Sequence, residues 1–335
     1  MKHRTRIGTT LLINLFALTC LAAPSTQPVA LPYAPDRAPL LTRSSRLEWN
    51  DDARNRSVPA KIYSPASGNG PFPVIIFSHG LGGSSEGYEF IGRQWAANGY
   101  IVVHLQHKGS DDKVWRGQAN PGEALKRAAN AENSVARARD VSFVIDQLTQ
   151  LNDQPEWKGR LDLEHIGMSG HSFGGQTTML IAGEKLGGNA GEKLLGKLSD
   201  PRVKAALPMS PATPRHHDKL DEEFGAIKIP VFEMTGTLDV SPLGETTAAD
   251  RRIPFDHMND HAAYLLTLTD GDHMVFSGRA RRQFKPTDAR HHEIIRISST
   301  GFWDAYLKDD TVAKAWLRDG AFKTSLAGDG AFEQK

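Results

Sequence analysis

One cysteine, Cys20, stands in 335 residues, and it lies in an N-terminal stretch that reads as removable. A mature chain without it forms no disulfide and offers no thiol nucleophile. Charge of one sign is lacking too. Lys and Arg number 40 against 39 Asp and Glu, a formal net charge of +1, so the chain carries no nucleic-acid footprint and implies no polyanion partner. The apolar run from Ile7 to Leu21 is too short for a comfortable membrane span. There is no internal repeat, no phosphate-cradling lysine loop and no dinucleotide fingerprint. His216-His217 and His291-His292 are adjacent pairs, without the i,i+4 spacing that sets two imidazoles on one helix face, so neither metal nor cofactor is expected. With 39% hydrophobic and 24% charged residues, the chain can bury a sizeable core.

The N-terminus carries an address. Lys2, Arg4 and Arg6 precede the apolar run, and small Ala22 and Ala23 follow it, so residues 1–22 read as a signal peptide. Cleavage after Ala22 avoids leaving Pro24 first. Cys20 lacks the leucine three residues earlier and the small neighbour that a lipidation signal wants. Removing three basic residues and no acidic ones takes the net charge from +1 to −2. A disulfide-free exported chain fits a bacterial periplasm or secretion, with no stable membrane insertion after cleavage. Residues 23–45, rich in Pro, Ser and Thr, read as an extended linker. Residues 46–335 show no second composition regime and are expected to form one domain.

Strand and helix signals alternate through that domain. Residues 46–51 and 58–63 read as leading strands. Pro73 to Ser78 and Tyr100 to Leu105 are short apolar runs typical of strands buried on both faces. Between them, Tyr88 to Asn98 is amphipathic and closes on Gly99. Residues 107–130 are polar and Gly-rich, an expected insertion on the active-site side. Ala131 to Leu151 has apolar residues at helical spacing. A Gly-rich loop is expected from Gly187 to Gly196. Strands follow at 203–208, 230–235 and 264–268, and a closing helix at 291–307. The alternation predicts a mainly parallel α/β sheet with helices on both faces.

The centre of the chain is Gly170-His171-Ser172-Phe173-Gly174-Gly175, with an apolar strand before it and a helical run after it. A serine on such a turn stands clear of the sheet, and side chains at 170 and 174 would strike neighbouring backbone. Ser172 is the candidate nucleophile. It needs a base, and the base needs an orienting acid. Asp239 follows the 230–235 strand and His273 follows the 264–268 strand, each where a strand end can aim it at the serine. Asp270 and Asp272 are competing acids, and His257 and His261 competing bases. An oxyanion hole needs two backbone N–H groups. Phe173 supplies one, and the turn His79-Gly80-Leu81-Gly82-Gly83 the other, with Leu81 first and Gly82 second. His79 and His171 are expected to tether and pack rather than react.

These residues resemble the α/β-hydrolase superfamily, and more narrowly its platelet-activating-factor acetylhydrolase and dienelactone-hydrolase-like branch. The blocks that carry the likeness are Ile76 to Gly83, Ala97 to Val103 running on to His107-Lys108-Gly109, and Gly170 to Gly175. The resemblance implies a cofactor-free serine esterase for short or small acyl esters. It places Ser172 as nucleophile, His273 as base, and Leu81 and Phe173 at the oxyanion hole. Two departures stand out. Dienelactone hydrolases proper use a cysteine nucleophile. The animal acetylhydrolases carry their acid after the strand that follows the elbow helix, where this chain reads Pro208-Met209-Ser210-Pro211. Other readings of the same fold are a peptidase or amidase, a polyester hydrolase using Trp115 or Trp303 as an aromatic cleft, and a non-catalytic binding module.

Overall fold

Apolar residues that alternate between two faces need cover on both, and the centre of this chain is built that way. The computed structural model describes residues 1, 33, 39–68, 70–213, 218–243, 246–259, 262–278 and 285–335. Residues 2–22 of the expected signal peptide and the pair His216-His217 lie outside them, as does His261.

The elements run β1 (Thr42–Asp51), β2 (Arg56–Pro65), β3 (Phe72–Ser78), α1 (Glu89–Ala97), β4 (Ile101–Leu105), α2 (Pro121–Ala128) and α3 (Ala131–Leu151). Then come β5 (Leu161–His171), α4 (Phe173–Ala182), α5 (Gly188–Leu195), β6 (Val203–Met209), α6 (Leu220–Phe224) and β7 (Val231–Leu238). The chain closes with α7 (Ile253–His257), β8 (Ala263–Asp272), α8 (Asp288–Leu307), α9 (Thr311–Arg318), α10 (Ala321–Ser325) and β9 (Gly330–Gln334).

The nine strands form one sheet in the order β1-β2-β4-β3-β5-β6-β7-β8-β9. From β4 to β8 every pairing is parallel, while β1 with β2, β2 with β4, and β8 with β9 are antiparallel. The expected mainly parallel sheet is therefore present, with antiparallel strands at both edges. In β3, Val74 and Ile76 pack with Val141, Val144 and Leu148 of α3, while Ile75 and Phe77 join α1 and α8 on the other face. Burying a single such side chain stabilises the fold by about 1.5–3 kcal/mol, and Val74, Ile75 and Ile76 are all fully buried.

Three expectations shift. Residues 42–45, read as the end of the linker, are the start of β1, paired with β2 from Thr42↔Pro65 onward. Upstream of it, Tyr33 is buried, hydrogen-bonds Asp304 and stacks on Trp316, so the chain is anchored there. The Gly187–Gly196 stretch is not a loop. It holds α5, whose N-cap Gly187 and C-cap Gly196 both have positive φ, so the glycines mark its ends. The edge strand β9 was not expected; its five residues have only Phe332 as a large apolar side chain and carry no buried-strand signal, and it is placed by pairing with β8.

Candidate active site

β5 delivers the chain to Ser172, whose φ of 59° and ψ of −117° place it in a strained turn before α4 begins at Phe173. A Cβ on Gly174 would collide with the carbonyl of Ser78, and one on Gly170 with the carbonyl of Gly174. Glycine at both positions lets the turn pack against the end of β3. The Ser172 N–H is tied to Met209 O at 2.9 Å, which fixes the turn to β6.

The residues predicted from sequence come together at the ends of β5, β7 and β8. His273 Nε2 lies 2.9 Å from Ser172 Oγ, and His273 Nδ1 lies 2.8 Å from Asp239 Oδ1. Asp239 is fully buried. Burial pushes its carboxyl up, but the His273 hydrogen bond, the Arg251 charge and the Ser210 hydroxyl outweigh that and hold it at about 2. A carboxylate only accepts, so Nδ1 carries the imidazole proton and Nε2 is bare toward the serine hydroxyl. Two of the rival groups are engaged elsewhere. Asp272 accepts from Lys285 Nζ at 2.9 Å and from the Met274 N–H, and His257 pairs with Asp221 at 2.6 Å.

Two residues around Asp239 gave no signal in the sequence. Ser210, at the end of β6, donates its hydroxyl to Asp239 Oδ2, which Thr235 Oγ1 also reaches at 2.9 Å. Arg251 is buried, with Nε 3.2 Å from the Asp239 carbonyl and Nη1 donating to the carbonyls of Ser210 and Pro211. Its Nη2 approaches His273 Nδ1 at 3.3 Å, which with Nδ1 protonated is a contact between two donors and not a hydrogen bond. In sequence, Arg251 sits in the charged run Asp250-Arg251-Arg252 and reads as surface.

In the turn after β3 the three glycine N–H donors are spent. Gly80 N–H is spent on Tyr88 Oη at 3.1 Å, Gly82 N–H on Ser110 O at 2.8 Å, and Gly83 N–H on Gly80 O at 2.9 Å. The second choice of donor, Gly82, is thereby occupied. Leu81 N–H has no protein acceptor among the described residues, nor has Phe173 N–H, which as the first residue of α4 has no partner within the helix. The carbonyl of His79 is held by Arg137, a buried guanidinium that also donates to Thr177 Oγ1 and Ser110 Oγ, each at 2.9 Å. Burial brings Arg137 down to about 9, against the opposing pull of Asp140.

A second Ser–His–Asp array lies behind this turn. Ser78 Oγ is 2.9 Å from His107 Nε2, and His107 Nδ1 is 2.9 Å from Asp140 Oδ2. All three residues are fully buried, and Arg54 and Arg56 donate to Asp140 as well. Its distances match those at Ser172, but Ser78 ends a buried strand, whereas Ser172 stands on a turn at the cavity wall. This inner array ties β3 to α3 under the turn.

Access is the decisive difference. A cavity of about 860 Å³ opens onto Ser172, His273, Leu81 and Phe173. The 107–130 insertion supplies part of its wall through Lys126 and Ala129, as expected of an active-site-side segment. Trp303 is fully buried in the core and cannot form an aromatic cleft, while Trp115 packs on the turn, donating to Gly82 O at 2.8 Å. His79 and His171 are buried and tethered, with no direct bond to the serine. Among the described residues no cluster of three or more metal-ligating side chains occurs, and no helix is long and apolar enough to cross a membrane.

Residues 49–115 match a family model described as platelet-activating factor acetylhydrolase, isoform II. The platelet-activating factor acetylhydrolase of Cavia porcellus is 30% identical over 158 residues, 38% of this chain and 35% of that protein. That of Canis lupus familiaris is 26% identical over 159 residues, covering 38% of this chain and 36% of its own. Cutinase 2 of Thermobifida cellulosilytica is 22% identical over 179 residues, 53% of this chain and 52% of that protein. The matched stretches thus span little more than a third of the two acetylhydrolases. The fold is that of the α/β-hydrolases, and the chain is similar to their platelet-activating-factor acetylhydrolase branch.

Proposed function

We propose that this protein is an exported serine hydrolase that cleaves carboxylic esters through an acyl-enzyme. The observation that carries the reading is the 2.9 Å contact between Ser172 Oγ and His273 Nε2 on the wall of the cavity. The similarity to acetylhydrolases and a cutinase supports an ester as the substrate class.

Ser172 Oγ attacks the ester carbonyl carbon while its proton passes to His273 Nε2. The carbonyl electron pair moves onto oxygen, which the Leu81 and Phe173 N–H groups receive. One such donor is worth about 2.7–4 kcal/mol of barrier. The imidazolium is held by Asp239 through Nδ1–H. Collapse breaks the bond to the alcohol oxygen, and His273 returns its proton to that leaving group. Water then attacks the acyl-serine by the same proton route, releasing the acid and restoring Ser172. No cofactor enters this sequence.

The resemblance favours short or small acyl groups, and the volume of about 860 Å³ leaves room for a sizeable partner on one side of the ester. A second reading, a polyester hydrolase, is favoured by the cutinase similarity and by exposed Leu238, Val240 and Met274 beside Asp239 and His273. Hydrolysis of p-nitrophenyl esters from acetate to palmitate, by wild type and Ser172→Ala, tests both. A rate on short esters that vanishes in the variant supports the first reading. Slow small esters with clearing of a polyester film support the second. Absence of any hydrolysis would contradict both. Export is tested by N-terminal sequencing of the secreted protein, expected to begin at Ala23.

A further inference from the structure

The turn that carries Leu81 and the loop that carries His273 come from opposite ends of the chain, yet one chain of hydrogen bonds joins them. Gly80 N–H donates to Tyr88 Oη at 3.1 Å. Tyr88 Oη lies 2.9 Å from His171 Nδ1. His171 Nε2 lies 2.8 Å from the backbone carbonyl of His273.

The proton positions along this chain are settled by its two ends. A carbonyl accepts only, so His171 Nε2 must carry hydrogen. Burial above all, with the Arg251 charge nearby, holds His171 well below the usual imidazole range, so the ring is neutral and Nδ1 is bare. Nδ1 then accepts from the Tyr88 hydroxyl, whose oxygen accepts from Gly80. Every donor meets an acceptor. The packing is close as well. The rings of His171 and His273 have centroids 4.7 Å apart, and a Cβ on Gly80 would sit 3.1 Å from Tyr88 Oη. Tyr88 holds a left-handed φ of 62° at the start of α1, a conformation that costs a non-glycine residue about 1–3 kcal/mol unless its surroundings enforce it.

We infer that Tyr88 and His171 are a positioning pair that holds the base His273 and the oxyanion turn at one fixed separation. The inference rests on the hydrolase reading above. Neither residue bonds to Ser172 in the structure; both act through the groups they hold. A tetrahedral intermediate needs Leu81 N–H and His273 Nε2 placed at once around Ser172, so slack between them costs transition-state binding more than substrate binding.

The test is steady-state hydrolysis of p-nitrophenyl acetate by the full chain, with binding of phenylboronic acid as a tetrahedral probe. Tyr88→Phe removes one oxygen. His171→Asn keeps an amide where Nδ1 stands, and His171→Gln reaches toward the His273 carbonyl. Tyr88→Phe is expected to lower kcat about tenfold or more, with KM within about twofold and boronate affinity falling with kcat. His171→Asn, which loses the tether to His273, should fall further than His171→Gln. The Tyr88→Phe/His171→Asn double variant should be no worse than His171→Asn alone, because the pair acts as a unit. A kcat within about twofold of wild type in Tyr88→Phe and His171→Asn, or additive losses in the double variant, would overturn the inference. Losses that track only a lowered thermal midpoint, with boronate affinity intact, would overturn it too. A wild type inactive on every ester would instead remove the hydrolase reading, and the inference with it.

Discussion

Ser210 and Asp239 meet across the ends of β6 and β7, the serine hydroxyl donating to the carboxylate oxygen that His273 leaves free. The buried carboxylate thus has hydroxyl donors on Oδ2, from Ser210 and Thr235, and the imidazole on Oδ1. Ser210→Ala leaves Thr235 in place and is expected to lower kcat on p-nitrophenyl acetate about tenfold, the worth of one hydrogen bond to a charged group. Asp239→Asn is expected to lose far more, because a carboxamide can turn its N–H₂ toward Nδ1 and reverse the tautomer. An Asp239→Asn variant that retains wild-type kcat would remove Asp239 from the proposed chemistry.

Glu184 and Glu223 share a buried site between the end of α4 and α6, each with one carboxyl oxygen lacking a hydrogen-bond partner. Burial, with a contribution from Glu223, pushes Glu184 well above the usual carboxyl range. A carboxyl raised in the folded state contributes stability that is fully present below its ordinary value and is lost as pH rises through the folded one. Glu184→Gln should therefore leave the thermal midpoint unchanged near pH 4 and raise it on the alkaline side. Equal midpoints for wild type and variant at every pH would show that the pair is not under this strain.

Arg137 holds the turn by three buried acceptors, the carbonyl of His79 and the hydroxyls of Ser110 and Thr177, and lies 4.8 Å over the Phe173 ring. Arg137→Met removes every one of these donors while keeping an unbranched apolar stem. It is expected to cost about 3 kcal/mol or more of stability, measured from the urea midpoint and slope. Arg137→Lys keeps the charge and should lose less. A Met variant as stable as wild type would show that the buried guanidinium is not what fastens the turn.

Much of this arrangement can be read from local sequence, and the reasons are physical. The helix expected over Ala131 to Leu151 has those bounds because Val135, Ala138, Val141, Val144 and Leu148 repeat at helical spacing. The runs of β3 and β4 are buried on both faces, so their apolar continuity marks them. Ser172, Asp239 and His273 each follow a strand, and strand ends gather at one edge of a parallel sheet. Other features depend on contacts distant in sequence. Arg137 and Arg251 look like surface cations until folding buries them against backbone carbonyls. The inner array of Ser78, His107 and Asp140 shows the converse limit. Its residues are as reactive in type as those at Ser172, but Ser78 lies within a strand and is buried, and its assembly with His107 and Asp140 is a long-range contact that no local motif records. Tyr33 likewise sits in a stretch read as linker from composition, and only its contacts with Asp304 and Trp316, far along the chain, reveal an anchor.

Two serines, Ser172 and Ser78, each face a His–Asp pair, and the proposed chemistry requires Ser172 to be the one that reacts. Treating the intact protein with a fluorophosphonate and mapping the adduct by peptide mass spectrometry decides between them. One adduct per chain is expected, on Ser172, lost in Ser172→Ala and retained in Ser78→Ala. An adduct on Ser78, or none on a protein otherwise folded, would contradict that chemistry.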